Sequence, residues 1–311
     1  MAKAHFGVTV PQIKRTWAES RDNSREFEAM GYDSLWVCDH LYGPQSPTIP
    51  ILEAWSLISA LAAVTEKVEL GTLVTPAGMR NPAQLGKVIA SIDNIAGGRV
   101  IAGLGGGWMP REFTDFGVPF LSTSQRLVQL RETVQLFKKM WSDEPTTSFD
   151  GKYVKAENVV TEPKPARHVP ILIGGGGEKV TLKIAAQEAD IWNNLAGQQG
   201  LLEHKVAALR EHCKEVGRDP SEVTVSQQCL VIIAEDEASA NAQIGTAKKI
   251  FGGHMGDPEG PLAIAGSPER VRDQIQKHMD LGCTMFVMEF FGRDTKAPAA
   301  LFAEKVLPHF R

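Results

Sequence analysis

The chain of 311 residues has little of several features that mark specialised proteins: four cysteines, no apolar run of membrane-spanning length, and a net charge of only −4. The cysteines are scattered without the paired spacing that zinc or redox sites require, so they predict reduced thiols in a cytoplasmic protein. No signal-peptide pattern opens the chain, and we expect no membrane contact. The nearly balanced charge predicts no basic surface and therefore no nucleic-acid partner.

Short apolar runs alternate with amphipathic helical patterns almost without a break. Near-continuous apolar runs are typical of parallel strands that are covered on both faces. Eight strand–helix units in this length predict an α/β fold, a (β/α)8 TIM barrel, in preference to a doubly wound sheet. The predicted strands cover residues 5–11, 34–39, 68–75, 99–104, 170–173, 191–195, 223–234 and 285–291. The predicted helices cover residues 16–30, 52–64, 82–97, 127–141, 178–188, 201–216, 268–281 and 297–310.

Two segments, at about 142–169 and about 235–266, do not fit this repeat. The first contains Asp150 and Gly151, a hairpin-turn signal between short β-prone runs. The second contains an extra helical pattern and a run rich in glycine and proline at 252–258, a candidate lid. Because the repeat resumes in phase after each, we interpret both as insertions on the barrel and residues 1–311 as a single domain.

The active site of such a barrel is built from the loops at the carboxyl ends of the strands. Asp39 and His40 follow the second predicted strand and are acid–base candidates, since a neighbouring carboxylate can hold the tautomer of a histidine or raise its pKa. The alternative is an ordinary loop, in which Asp39 binds backbone amides and His40 is solvated. Other strand ends carry glycine or polar residues, at 75–77, 105–108, 174–177, 193–194 and 289.

Two predicted strands end in glycines, at 103–107 and at 174–177. The first cluster lacks the spacing of the dinucleotide fingerprint and has no helix directly after it, which excludes a Rossmann site. The second runs into a helix predicted to begin at Glu178, where free amides and the positive helix end favour a phosphate group. Lys179 or Thr181 could add a donor there. The alternative is a tight turn that needs glycine for its backbone alone.

Trp108 and Glu112 come just after the glycines of the fourth predicted strand. Trp108 is suited to wall a flat ring system, and Glu112 to hydrogen-bond a substrate or a neighbouring loop. The alternative for Glu112 is a structural role, as a cap or in a pair with Arg111 or Arg131. The remaining histidines show no metal-ligand spacing, so no metal site is predicted.

Several short segments form a specific set when they are taken in this order: residues 34–40, 70–76, 80–82, 97–99, 105–108, 112–113, 170–177, 189–193 and 266–269. With this set the chain resembles, over essentially its whole length, the bacterial luciferase-like flavin and deazaflavin oxidoreductases. The resemblance is to the branch that uses coenzyme F420 in particular. It implies a barrel with insertions, a flat tricyclic ring over the strand ends, and hydride transfer between that ring and a small organic substrate.

The resemblance also implies which residues form the site. A non-proline cis peptide is expected near Val74 and Thr75, in a bulge that supports the ring system. His40, Asp39 and Glu112 are the implied catalytic residues, with His40 or Glu112 handling a proton. The implied cofactor-binding residues are Asp39, Val74, Thr75, Gly105, Gly106, Gly107, Trp108, Gly174, Gly175, Gly176, Gly177 and Asn193, with the last glycine run at the cofactor phosphate.

Two positions depart from the deazaflavin sugar-phosphate dehydrogenases of this family. Those enzymes have a tryptophan shortly after the Asp–His pair, where this chain continues with residues 41–44, and a glutamate where it has Trp108. No basic cluster indicates a phosphorylated substrate, so a sugar phosphate is not predicted. The alternatives to an F420-dependent enzyme are an FMN-dependent monooxygenase of the same fold and a non-catalytic deazaflavin-binding protein. We also expect a homodimer.

Overall fold

Eight parallel strands close into a barrel in the computed structural model, which describes residues 3–43, 46–292 and 294–311. The closed order is β1, β2, β3, β5, β8, β9, β10 and β12, and β12 pairs with β1. The predicted (β/α)8 barrel is confirmed. The strands are β1 His5–Thr9, β2 Ser34–Val37, β3 Glu69–Thr72, β4 Thr75–Pro76, β5 Val100–Gly105, β6 Thr147–Asp150, β7 Lys155–Val159, β8 Ile171–Gly174, β9 Ile191–Asn194, β10 Thr224–Ile233, β11 Ile264–Gly266 and β12 Cys283–Phe290.

Helices follow the barrel strands, and several begin at the expected capping residues. Asn81 caps α3 ahead of Pro82, for example, because its side chain accepts a hydrogen bond from the amide of Gln84. Among the described residues, no helix is both long enough and apolar enough to cross a membrane. The helices are α1 Trp17–Ala29, α2 Ala54–Ala62, α3 Pro82–Ile95, α4 Pro110–Asp115, α5 Thr123–Met140, α6 Thr181–Glu188, α7 Leu202–Glu215, α8 Glu237–Phe251, α9 Pro268–Asp280 and α10 Lys296–Lys305, with 3₁₀ helices at Ala196–Leu201, Pro220–Glu222 and Leu307–Phe310.

The helix predicted to begin at Glu178 begins three residues later, so that part of the prediction is wrong. Val180 occupies the N-cap position, and its side chain offers no capping hydrogen bond. The Glu178 carboxylate is bound by Lys205 from the following helix, which holds residues 178–180 in a turn. The glycines at 174–177 are therefore separated from α6 by one turn.

The barrel interior is filled by its own apolar cluster, which contains the fully buried Trp36. An added Cβ at Gly7 or Gly71 would overlap the Trp36 indole, so glycine at these two positions makes room for that ring. The indole Nε1 donates to Ser34 Oγ at 2.8 Å, which satisfies its one polar atom. Since the interior is packed, the open end for ligands is the carboxyl end of the strands, which we call the mouth.

Both predicted insertions have the expected content. The first contains the antiparallel hairpin β6–β7, whose connection is held by the buried Glu132 carboxylate through the amides of Lys152, Tyr153 and Val154. The second contains α8, which ends at Gly252 with a left-handed φ of 54°. After it the chain turns back, and Met255 is buried in an apolar cluster with residues of β10.

Candidate active site

The two glycine-ended strands are neighbours and end at the same edge of the barrel. β5 pairs with β8 in parallel register, with Gly103 opposite Leu172 and Leu104 opposite Ile173. Gly105 and Gly174 therefore both open onto the mouth, as the sequence predicted.

A bulge after β3 lies between these glycines. The peptide bond between Leu73 and Val74 is cis, within one residue of the predicted position. An added Cβ would lie 2.6 Å from a Val74 methyl at Gly105 and 2.9 Å from one at Gly174. Glycine is needed at both positions because the Val74 side chain fills the space between them.

Asp39 lies in a buried ion pair and does not contact His40, so the expected Asp39–His40 partnership is wrong. Arg80 donates two hydrogen bonds to the Asp39 carboxylate, at 2.7 and 2.8 Å. Thr75 Oγ1 donates to the same carboxylate at 2.7 Å and accepts from Trp55 Nε1 at 3.0 Å. A buried carboxylate needs hydrogen-bond donors and a counter-charge, and Thr75 and Arg80 supply them. The bond from Thr75 also ties the bulge to Asp39, just after β2.

His40 is held by Glu112 instead, which also replaces the proposed pairing of Glu112 with Arg111 or Arg131. The Glu112 oxygens lie 3.0 and 2.9 Å from His40 Nδ1, and one of them accepts from the amides of Leu41 and Tyr42. Burial alone would raise the pKa of Glu112, but these hydrogen bonds and the histidine hold it below its ordinary value. Glu112 is thus ionised at neutral pH, and an ionised carboxylate can only accept.

This arrangement defines the tautomer of His40. Because Glu112 accepts at Nδ1, that nitrogen carries the proton of the neutral ring, and Nε2 has a free lone pair. Nε2 makes no hydrogen bond within the described part of the chain. His40 can therefore accept a proton at Nε2, or donate one there after it has been protonated.

Trp108 stands beside His40 with more than half of its surface open. Its exposed fraction is 59%, and its ring centroid lies 5.7 Å from that of His40 in an edge-on arrangement. The His254 ring, from the second insertion, has its centroid 6.3 Å from that of the same indole. Loops from β2, β5 and the insertion therefore meet around one exposed indole, which can wall a flat ligand.

The segment Gly174–Gly177, the glycine loop, is held open by its neighbours. Gly175 has a φ of 136°, and its carbonyl accepts from Trp192 Nε1 at 2.9 Å. The Gly176 carbonyl accepts from Lys205 Nζ at 2.6 Å. No backbone amide of residues 176–179 finds an acceptor among the described residues. Of the two proposed extra donors, Lys179 is exposed, whereas Thr181 is buried beneath the loop.

Asn193 lies next to the glycine loop with a buried donor that has no partner. Its strand position is opposite Gly174, and its Oδ1 accepts from Ser226 Oγ at 3.0 Å. Its Nδ2 is buried and has no hydrogen-bond partner in the part of the chain that the structure describes. A buried donor without a partner is destabilising, and an oxygen of a ligand would satisfy it. The free loop amides and this donor fit a ligand that carries a phosphate and ring carbonyls.

Sequence reasoning missed two residues that shape this part of the mouth. Lys205 is buried on the inner face of α7, and an added Cβ at Gly176 would overlap the Gln198 side chain. The sequence could have indicated Lys205, because this residue interrupts the apolar spacing of buried residues 202, 206, 209 and 213 on that helix. No sequence pattern indicated Gln198.

Comparison with known proteins places the chain in a family. Residues 1–259 match the profile of the luciferase-like monooxygenases. The chain belongs to this family. An F420-dependent glucose-6-phosphate dehydrogenase of Kineococcus radiotolerans is 29% identical over 93% of this chain and 92% of its own.

Two solved structures share the fold over 99–100% of the chain. An F420-dependent secondary alcohol dehydrogenase, in complex with an F420–acetone adduct, superposes with a TM-score of 0.84 and 21% identity over 99% of both chains. A coenzyme F420-dependent tetrahydromethanopterin reductase from Methanopyrus kandleri has a TM-score of 0.80 and 23% identity over 100% of both chains. The predicted family and barrel are confirmed.

Proposed function

We propose that this protein is an F420-dependent oxidoreductase that transfers hydride between the deazaflavin ring and a small organic substrate. One observation carries the proposal: a histidine held by a buried carboxylate and a glycine loop with free amides open onto the same mouth. The relatives named above as F420-dependent agree with it. The chemistry supplied by the bound deazaflavin is hydride transfer at the carbon of its central ring.

The residues around the mouth divide the work of holding this cofactor. The glycine loop would bind the phosphate through its amides, with Lys205 keeping Gly176 in place. Val74, Gly105, Gly106, Gly107, Trp108 and Asn193 would line the ring, and Thr75 would support it from beneath. Thr75 acts through the bulge, since its hydroxyl is fully engaged by Asp39 and Trp55. Asp39 is a positioning residue for the same reason.

His40 would move the proton that accompanies hydride transfer. With Nδ1–H bound to Glu112, Nε2 takes a proton from a substrate hydroxyl in the oxidative direction and returns it in the reductive direction. Glu112 stabilises the protonated ring, as a carboxylate partner does in other histidine bases. Trp108, with its exposed face, would keep water from one side of the mouth.

Titration of the purified protein with F420 and, separately, with FMN tests the proposal. Fluorescence of each cofactor reports binding, and we expect saturable binding of F420 and none of FMN. Tight FMN binding without F420 affinity would favour the monooxygenase alternative. If F420 binds but H40A and E112A leave every turnover intact, the protein is a deazaflavin-binding protein instead.

We further propose a cytoplasmic homodimer built from a single domain per chain. The four cysteines are unpaired, which fits a reducing compartment. Val88 and Ile95, 41% and 59% exposed, lie seven residues apart on α3 and give that helix an apolar outer stripe. Light scattering on the purified protein tests the oligomeric state, and a monomeric mass at micromolar concentration would contradict it.

A further inference from the structure

Glu289 stands at the end of β12 on the inner side of the barrel. Along this strand Met285 and Val287 belong to the interior cluster, whereas Phe286 and Met288 pack outward against the helices. Side chains of a strand alternate between its two faces, so Glu289 is the next inward residue at the carboxyl end. It therefore lies on the floor of the same mouth as His40.

No other group satisfies this carboxyl. Glu289 makes no hydrogen bond or ion pair with any of the residues that the structure describes, and part of its side chain is open to the mouth. Burial raises the pKa of Glu289, and no neighbouring charge opposes that effect. Glu289 therefore differs from Glu112, whose carboxylate is bound by His40 and two backbone amides.

The neighbours of Glu289 offer neither a counter-charge nor a proton acceptor. Thr9 at the end of β1 and Gln228 on β10, the two strands beside β12, point toward this floor, as does Cys38 just after β2, and all three are uncharged. Cys38 is a titratable group near Glu289. Its burial, followed by the charges of Glu289 and Asp39, raises the pKa of the Cys38 thiol to about 12. An anionic ligand group would find no cation among these residues. A carboxyl left unpaired in a mouth of this kind is a candidate for ligand recognition.

We propose that Glu289 binds the substrate: its protonated carboxyl donates a hydrogen bond to an uncharged oxygen, a ketone carbonyl or an alcohol hydroxyl, on the barrel floor. This inference rests on the proposed function and adds the substrate class, which is neutral carbonyl and hydroxyl compounds and excludes phosphate esters. Glu289 sets specificity, while His40 and Glu112 remain responsible for the proton.

Two variants separate a neutral donor from an ionised group. E289Q keeps a donor of the same shape, so it should retain the KM of the wild type within about threefold. E289L removes the donor at similar volume and should raise KM at least about tenfold, the worth of one hydrogen bond to a ligand. F420 affinity, measured by fluorescence titration, should stay within about twofold of wild type in both.

Thermal unfolding at pH 7 gives a readout that a structural role would not produce. A carboxyl whose pKa is raised by folding makes the folded protein less stable as pH rises above the pKa of the unfolded state. Replacing Glu289 removes this effect, so both variants should have a Tm equal to or above that of the wild type at pH 7. E132Q is the matched control, because the Glu132 carboxylate accepts three backbone amides and its loss should lower Tm by several degrees.

The substrate probes are 2-propanol and cyclohexanol with oxidised F420, and cyclohexenone with reduced F420; glucose 6-phosphate is the charged comparator. Turnover of a neutral probe, with loss in E289L and retention in E289Q, supports the inference. Three results with the variants would overturn it: a KM of E289Q raised as much as that of E289L, an unchanged KM of E289L, or a loss of F420 affinity or stability in either variant. It would also be overturned if the wild type prefers glucose 6-phosphate or turns over none of the neutral probes. Failure of the wild type to bind F420 would instead refute the proposed function.

Discussion

The two sides of the mouth are built in opposite ways. On the side of β2 and β5 every carboxylate has its partner: Asp39 binds Arg80 and Thr75, and Glu112 binds His40 and backbone amides. On the side of β8 and β9 the amides of residues 176–177 and the Asn193 Nδ2 find no acceptor among the described residues. The first side is preorganised by the protein itself. The second side is completed only by a ligand. This difference separates residues that fix the geometry of the site from residues that bind the ligand.

Breaking the Asp39–Arg80 pair should have the largest effect on stability. D39A leaves the Arg80 guanidinium partly buried with Glu53 as its remaining partner. The loss of one member of a buried pair costs about 3–5 kcal/mol, so the free energy of unfolding should fall by about that amount in urea titrations. The double variant D39A/R80M should recover most of it. Equal stability of D39A and wild type would contradict the structural role of this pair.

Removing the His40 imidazole tests whether the same side carries the chemistry. H40A should lower kcat by about 10²–10⁴-fold, the usual contribution of a general acid–base group, and leave F420 affinity unchanged. H168A is the matched control, because His168 is exposed and forms a surface pair with Asp190. A kcat that H40A reduces no more than H168A would remove His40 from the mechanism.

These contacts also explain how far the sequence could predict the site. The apolar runs and glycine ends are local signals, and they predicted the barrel and the shared mouth. Asp39 and His40 were paired because they are adjacent in sequence. Adjacent residues of an extended segment point to opposite sides, so that pairing was excluded by geometry. The true partners, Arg80 and Glu112, lie 41 and 72 residues away. The sequence singled out Glu112 as able to hydrogen-bond a neighbouring loop, which it does, but no pattern paired it with His40 or paired Arg80 with Asp39.

Loosening the glycine loop should weaken binding without affecting the proton step. K205M removes the ammonium that binds the Gly176 carbonyl and Glu178 but keeps the length of the side chain. We expect F420 affinity to fall about tenfold, because the free amides lose their fixed geometry. K183M is the control, since Lys183 forms a solvent-exposed pair with Glu215. If K205M and K183M bind F420 alike, Lys205 does not position the loop.

The smallest effect concerns the pH dependence of stability. The folded-state pKa of Glu112 lies below its ordinary value, so its carboxylate stabilises the fold above the unfolded pKa, and this contribution is lost as pH falls through the folded pKa. E112Q should be less stable than wild type by about 1–2 kcal/mol at pH 7, with the difference shrinking below about pH 4. Denaturant titrations at several pH values measure it, and a constant difference would contradict the ionised state of Glu112.

F420 binding to G176V tests most directly whether the glycine loop is the side that a ligand completes. A branched side chain at Gly176 would displace Gln198 and block the loop. The backbone at Gly176 is not left-handed, so the substitution itself adds no backbone strain. G200V is the control, because an added Cβ at Gly200 meets nothing within 4 Å. We predict that G176V loses at least about a hundredfold in affinity, through the lost amide contacts, while its Tm stays within a few degrees of G200V. An unchanged affinity of G176V for F420 would show that the loop does not bind the cofactor.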